Sequence, residues 1–130
     1  MGAPAPQDQS FPRAHRLGGE LAFKRVFDSR HRRESGPLLV YGCPNDLPHS
    51  RLGLSVGRKV GGAVRRTLVK RRIREAFRRR PEREIAGFDL VVVVRPHGRL
   101  GFDDYRRHLE NAMGRVVREW QHARDQSRGS

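Results

Sequence analysis

Three short segments of the chain have the apolar pattern of β-strands. Residues 38–41 (LLVY) form a compact apolar run, with turn residues at 35–37 before it and at 44–46 after it. Residues 51–56 (RLGLSV) carry an apolar side chain at every second position, which is typical of a strand with one buried face. Residues 89–94 (DLVVVV) are rich in β-branched side chains and indicate an interior strand covered on both faces. We expect the first two strands to pair as a hairpin.

Three other segments repeat apolar residues at the three- and four-residue steps of a helix. A short helix is predicted within residues 17–27, and a strongly basic helix follows Gly61-Gly62 over residues 63–80. The last helix covers residues 102–120. Its apolar stripe must pack on the sheet, and we expect Trp120 to belong to that core and not to a base-stacking surface.

The order of these elements predicts an α+β fold or α/β sandwich. We expect one domain, at residues 15–122. The stretches 1–14 and 123–130 are polar or rich in small residues and lack periodic apolar positions, so both are predicted to be disordered tails.

The charge of the chain points to a polyanionic partner. Lys and Arg number 28 against 14 Asp and Glu, which gives a formal net charge of +14. Self-repulsion of this size opposes compaction unless a polyanion neutralises it, and the excess of arginine over lysine favours nucleic acid over a membrane surface. The sequence has neither an apolar run of about 18 residues nor a secretory signal, so we expect a soluble, cytoplasmic protein without a membrane partner.

No pattern of catalytic or metal-binding residues is visible in the sequence. Cys43 is the single cysteine, so no internal disulfide can form, and no Cys and His residues have zinc-site spacing. The histidines are scattered and the carboxylates are dispersed. We therefore expect no catalytic centre and no metal site in this chain.

The basic helix carries the strongest functional signal. Arg66, Lys70 and Arg74 follow one another at four-residue steps beside the apolar face, and Arg71 and Arg78 extend the positive surface, while Glu75 is the only acid between residues 65 and 80. Like charges four residues apart destabilise a helix by a few tenths of a kcal/mol per pair. A bound phosphate backbone would remove that cost, so the row predicts contact with nucleic acid.

Residues 58–77 (RKVGGAVRRTLVKRRIREAF) resemble the signature of the protein subunit of bacterial ribonuclease P, in which a glycine turn precedes Ala-Val, Arg-Asn-Arg, Lys-Arg and a further Arg. The Phe-x-x-Val-Phe pattern at 23–27 and the strands at 51–56 and 89–94 follow in the family's order, so the resemblance covers roughly residues 15–120. Two positions depart from the signature, since Thr67 stands for Asn and Leu68 for the second Arg.

The resemblance implies two RNA-binding surfaces. The basic helix and its glycine turn would contact the catalytic RNA, and Arg65 or Arg72 would supply some of the charge missing at Leu68. A cleft between the first helix and the sheet would receive the single-stranded 5′ leader of precursor tRNA, with Arg58 and Lys59 beside it. The implied residues are, for the catalytic RNA, Arg58, Lys59, Gly61, Gly62, Arg65, Arg66, Lys70, Arg71 and Arg74, and, for the leader, Arg16, Phe23, Phe27 and Tyr41.

The resemblance further implies an RNA-based endoribonuclease that matures the 5′ end of tRNA, with the catalytic centre in the RNA subunit. Mg²⁺ would be held mainly by that RNA, the partners would be ribonuclease P RNA and precursor tRNA, and the protein alone would be a monomer. The family also implies a central sheet of about four strands flanked by helices, with a left-handed βαβ crossover around the basic helix. A ribosomal protein or a general RNA chaperone of similar fold is the alternative.

Overall fold

The computed structural model describes residues 13–80 and 87–129, with side chains to residue 126. Most of the predicted N-terminal tail lies outside the described residues; positions 13 and 14 belong to a short 3₁₀ helix. In this part of the chain, two short 3₁₀ helices, three α-helices and four strands follow one another as Arg13–His15, α1 (Glu20–Asp28), β1 (Arg32–Ser35), β2 (Leu38–Pro44), β3 (Arg51–Val56), Arg58–Val60, α2 (Ala63–Arg79), β4 (Phe88–Val94) and α3 (Phe102–Gly129).

The four strands form one mixed sheet in the order β1-β2-β4-β3. β2 pairs antiparallel with both β1 and β4, and β3 pairs parallel with β4. The prediction that β2 and β3 form a hairpin is therefore wrong, because β4 lies between them. β4 is buried along nearly its whole length, as expected of an interior strand, and pairing with both neighbours covers its two edges.

Strand alternation divides the core into two layers. One face of the sheet carries Phe88, Leu90, Val92 and Val94 from β4, and α2 and α3 pack on it to form the larger cluster. The opposite face carries Val91 and the partly buried Val93, and here α1 packs with Val26 fully buried. The fold is thus an α+β sandwich with helices on both sides of the sheet, as predicted.

The parallel pair β3 and β4 is connected through α2. Val69, Ile73, Ala76 and Phe77 of this helix are all buried against the sheet and α3. Each large apolar side chain buried this way contributes about 1.5 to 3 kcal/mol. The buried stripe therefore fixes the rotation of α2 and determines which side chains remain on its outer surface.

α3 is longer than the sequence pattern indicated. Its backbone remains helical to Gly129, so residues 123–129 differ from the predicted disordered tail. Trp120 is partly buried against both core clusters, and its indole Nε1–H donates to the Gly42 carbonyl at 2.7 Å. This placement agrees with the expected structural role.

Within the described residues, no helix combines the length and apolar character needed to cross a membrane.

Candidate nucleic-acid interface

The outer surface of α2 carries a row of cations without counter-charges among the described residues. Arg66, Lys70 and Arg74 are half-buried beside the apolar stripe, and Arg71 is exposed. None of these four side chains forms a hydrogen bond or an ion pair with the residues that the structure describes. Glu75, the one acid on the helix, is paired with Arg78 and Arg79 instead. The row is therefore available to an external anion.

The positive charge of Arg74 is disfavoured at its position in the fold. Burial, together with the nearby positive charge of Arg16, lowers the pKa of Arg74 below its ordinary value. Arg16 belongs to the segment that runs along β3, where it forms a bridge with Leu52. The cation predicted for the leader and the last cation of the α2 row therefore lie near each other at the β3 edge of the sheet.

The turn before α2 is built from two glycines, and no side chain caps the helix. Gly61 has a φ of +155°, and a Cβ there would collide with the Arg65 side chain, so both the backbone and the packing favour glycine. Gly62, the N-cap, has an ordinary φ of −72° and no side-chain cap, and a Cβ there would meet open space. Arg58 and Lys59 are exposed just before this turn and have no ion pair with the described residues.

Arg65 and Arg72, which were predicted to supply some of the charge missing at Leu68, both donate hydrogen bonds to backbone carbonyls. Arg65 donates from Nε to the Val60 carbonyl at 2.9 Å and from Nη2 to the carbonyls of His97 and Gly98 at 2.6 and 2.9 Å. Arg72 donates to the Leu100 carbonyl at 2.5 Å. Both guanidinium groups hold the loop at 95–101 against α2.

A second candidate surface lies where α1 crosses the sheet. The rings of Phe27 and Tyr41 meet edge to face at 4.8 Å between centroids, and Phe23 and Phe27 meet at 6.3 Å. All three aromatic side chains are only half-buried. Phe23 lies directly over Gly53, where a Cβ would come within 2.6 Å of its ring. The predicted aromatic residues are thus brought together as one strip, with Val93 on the same sheet face.

Two arginines that sequence reasoning missed border this aromatic strip. Arg30 and Arg32 line a pocket of about 370 Å³ together with Phe27 and Tyr41. Arg32 donates to the Tyr41 hydroxyl at 3.1 Å and lies 5.9 Å from the ring centroid. The strand β1 that carries Arg32 is polar (RRES) and shows no apolar alternation, so the sequence pattern contained no signal for its position.

A buried carboxylate anchors α1 at this surface. Asp89 of β4 is fully buried and accepts hydrogen bonds from Arg51, Asn45 and Arg25, the last being on α1. Burial raises the pKa of Asp89, but the hydrogen bonds from Arg51 and Asn45 and the nearby arginine charges outweigh it, so the pKa lies below its ordinary value. Asp89 is therefore a structural anion at neutral pH.

The described residues hold no group of three or more His, Cys, Asp or Glu side chains that could bind a metal ion. Cys43 is buried and accepts a hydrogen bond from Arg25 at 3.2 Å, and burial raises the pKa of its thiol. The described residues therefore present two candidate surfaces for RNA, the cationic row of α2 and the aromatic strip with its neighbouring arginines.

Comparisons with known proteins all match ribonuclease P proteins. The family model described as Ribonuclease P matches residues 11–117. The ribonuclease P protein component of Methylococcus capsulatus is 41% identical over 73% of this chain and 75% of its own length, and that of Alcanivorax borkumensis is 44% identical over 69% and 75%. The ribonuclease P protein structure from Thermotoga maritima aligns with a TM-score of 0.70 and 34% identity, covering 77% of this chain and 96% of that one. The Staphylococcus aureus structure aligns with a TM-score of 0.68 and 29% identity, covering 81% and 96%.

These matches cover both candidate surfaces and most of the sheet, and they favour the ribonuclease P resemblance over a ribosomal protein or a general RNA chaperone. The chain belongs to the ribonuclease P protein family.

Proposed function

We propose that this protein is the RNA-binding subunit of a ribonuclease P in which the RNA subunit carries out the hydrolysis. One observation carries the proposal most directly: the cations Arg66, Lys70, Arg71 and Arg74 face outward without counter-charges among the described residues. A phosphate backbone along α2 would neutralise them and release condensed counterions from the RNA.

The glycine turn extends this surface. Peptide N–H groups at a helix N-terminus attract anions, and α2 begins with neither an acidic residue in its first turn nor a side-chain cap. Because a Cβ at Gly62 would meet nothing in the described part of the protein, a glycine there also permits close approach of a ligand. We assign the turn, together with Arg58 and Lys59, to the catalytic RNA.

The strip of Phe23, Phe27 and Tyr41 is assigned to the 5′ leader of precursor tRNA. Single-stranded RNA binds where unstacked bases meet aromatic faces and positive side chains follow the backbone. Arg16 lies at the β3 end of this region, and Arg30 and Arg32 lie beside Tyr41. The cations at both ends give the leader a positively charged path across the aromatic strip.

The protein would contribute affinity and positioning. Neutralised phosphates let the catalytic RNA and its substrate approach, which lowers the Mg²⁺ concentration that a working assembly needs. The Mg²⁺ ions would be held mainly by the RNA. The assembly would act in the cytoplasm on precursor tRNA, with one monomeric protein subunit.

The salt dependence of binding to a bacterial ribonuclease P RNA tests this proposal. Log K, where K is the association constant, falls as log salt concentration rises. Replacing Arg66, Lys70 and Arg74 together by Ala should make this fall less steep, by about 0.7 to 0.9 in slope for each phosphate that is no longer neutralised. The matched control replaces three exposed arginines of α3, Arg107, Arg115 and Arg118, by Ala and should have the smaller effect. Equal slopes for the wild type and the α2 variant would refute the assignment of this face.

A further inference from the structure

An open groove lies between the first half of α2 and the loop at 95–101. Its volume is about 900 Å³, and its walls include Val64 and Leu68 on one side and Arg99 and Leu100 on the other. Val64 is 86% exposed and Leu68 is 40% exposed. These two side chains lie one helical turn apart and interrupt an otherwise cationic helix face, which gives the groove an apolar wall.

The loop that forms the second wall is held in place around Arg99. Arg65 binds the carbonyl of Gly98 on one side of Arg99, and Arg72 binds the carbonyl of Leu100 on the other, at 2.9 and 2.5 Å. The Gly101 N–H also donates to Asp104 Oδ2 at 3.0 Å. The backbone on both sides of Arg99 is therefore fixed, and its side chain is presented at the groove by a supported loop.

The Arg99 side chain has no internal task among the described residues. It is exposed, and it forms no hydrogen bond or ion pair there. A guanidinium group matches phosphate oxygens with several donors at once. An apolar wall facing an available guanidinium is the arrangement that suits a nucleotide, with its base on the aliphatic side chains and its phosphate on the cation.

We propose that this groove binds one unpaired nucleotide of the RNA partner, with the base against Val64 and Leu68 and the phosphate on Arg99. The inference rests on the proposed RNA-binding function and extends it to a site outside the cationic row. A second copy of this chain is a poorer occupant, because the groove is lined by Arg65, Arg72 and Arg99 and the net charge of the chain is +14.

Leu68 and Arg99 line the same groove, one from α2 and the other from the neighbouring loop. The two α2 arginines that line this groove, Arg65 and Arg72, donate to backbone carbonyls. Arg99 lines the same groove as Leu68 and has no partner in the part of the chain that the structure describes. The cation available to a phosphate in this groove is thus provided by the loop and not by α2.

Titrations of a bacterial ribonuclease P RNA at several salt concentrations separate the two halves of the site. Arg99→Ala should weaken binding and reduce the salt slope by about 0.7 to 0.9, the value for one neutralised phosphate. Val64→Ser should weaken binding severalfold while leaving the slope unchanged, because the interaction it removes is apolar. The matched controls, Arg118→Ala on α3 and Leu21→Ser on α1, should bind like the wild type.

A compensating variant provides a second test. Because Leu68 lines the same groove as Arg99, Leu68→Arg in the Arg99→Ala background should place a cation there again and restore the wild-type slope. The inference would be overturned if Arg99→Ala and Val64→Ser both bound the RNA with wild-type affinity and slope. It would also be overturned if Val64→Ser changed only self-association, which sedimentation measures. Failure of the wild-type protein to bind the RNA would instead refute the proposed function, so the two failures are distinguishable.

Discussion

Arg51 donates two hydrogen bonds to the fully buried carboxylate of Asp89, from Nε to Oδ1 at 2.8 Å and from Nη2 to Oδ2 at 2.6 Å. Arg25 and Asn45 donate to the same carboxylate, the latter at 2.9 Å. One side chain on β4 thereby connects β3, α1 and the loop after β2. Because α1 carries Phe23 and Phe27, this network determines where the aromatic strip lies on the sheet.

Loss of the Asp89 charge should destabilise the fold. Asp89→Asn leaves Arg25 and Arg51 facing a neutral amide, and removing one partner of a buried pair costs about 3 to 5 kcal/mol. The arginines are 47% and 32% exposed, so we expect a smaller loss in the free energy of unfolding, about 2 kcal/mol. Urea unfolding measures it, with exposed Asp103→Asn as the control. A loss no larger than that of the control would contradict the network's structural role.

The same carboxylate should make stability depend on pH. The folded-state pKa of Asp89 is lowered, so its contribution is present above the unfolded pKa of about 3.9 and is lost as the pH falls through the folded value. The difference in unfolding free energy between the wild type and Asp89→Asn should therefore be constant from about pH 5 to 7 and shrink below about pH 4. Urea midpoints at successive pH values measure it. A difference that grew on acidification would contradict the assignment.

The close approach of Phe23 to Gly53 predicts a selective defect in leader binding. A Cβ at position 53 would come within 2.6 Å of the Phe23 ring, so Gly53→Ala should displace the ring and weaken binding of precursor tRNA severalfold. Gly114→Ala, whose Cβ meets only the flexible end of Arg118, is the control. Affinities of the holoenzyme for precursor and mature tRNA measure the effect. Equal losses for both RNAs would argue against a leader site at the aromatic strip.

Arg74 should increase RNA affinity at the expense of stability. Its charge is disfavoured by burial and by Arg16, and it forms no ion pair with the described residues. Arg74→Met keeps the apolar packing of the side chain, so we expect the protein without RNA to gain about 0.5 kcal/mol. RNA binding should weaken at the same time, with a lower salt slope. A variant that lost both stability and affinity would show that Arg74 supports the fold instead.

The sequence predicted the elements whose burial is periodic and missed contacts that depend on tertiary structure. The helix over 102–120 and the interior strand at 89–94 were recognisable because each has a continuous apolar pattern. β1 was missed because its four residues, RRES, are polar, although Arg33 pairs with Glu119 of α3. The β2–β3 hairpin was wrongly expected because adjacency in sequence does not reveal that β4 inserts between the two strands.

The candidate sites also combine features that helix periodicity predicts with contacts that depend on tertiary structure. The row of Arg66, Lys70 and Arg74 could be predicted because helix geometry alone brings those side chains together. The partners of Arg65 and Arg72 could not, because both arginines bind carbonyls about 30 residues away in a loop without periodicity. The wall that Arg99 contributes to the groove depends on the position of that same loop.

Reconstitution at low Mg²⁺ tests the central claim most directly. The purified protein, a bacterial ribonuclease P RNA and a 5′-labelled precursor tRNA are combined, and release of the leader is compared with that of each component alone. We expect efficient cleavage at the mature 5′ end only when the RNA and the protein are both present. Cleavage by the protein alone, or the same rate from the RNA with and without the protein, would contradict the account.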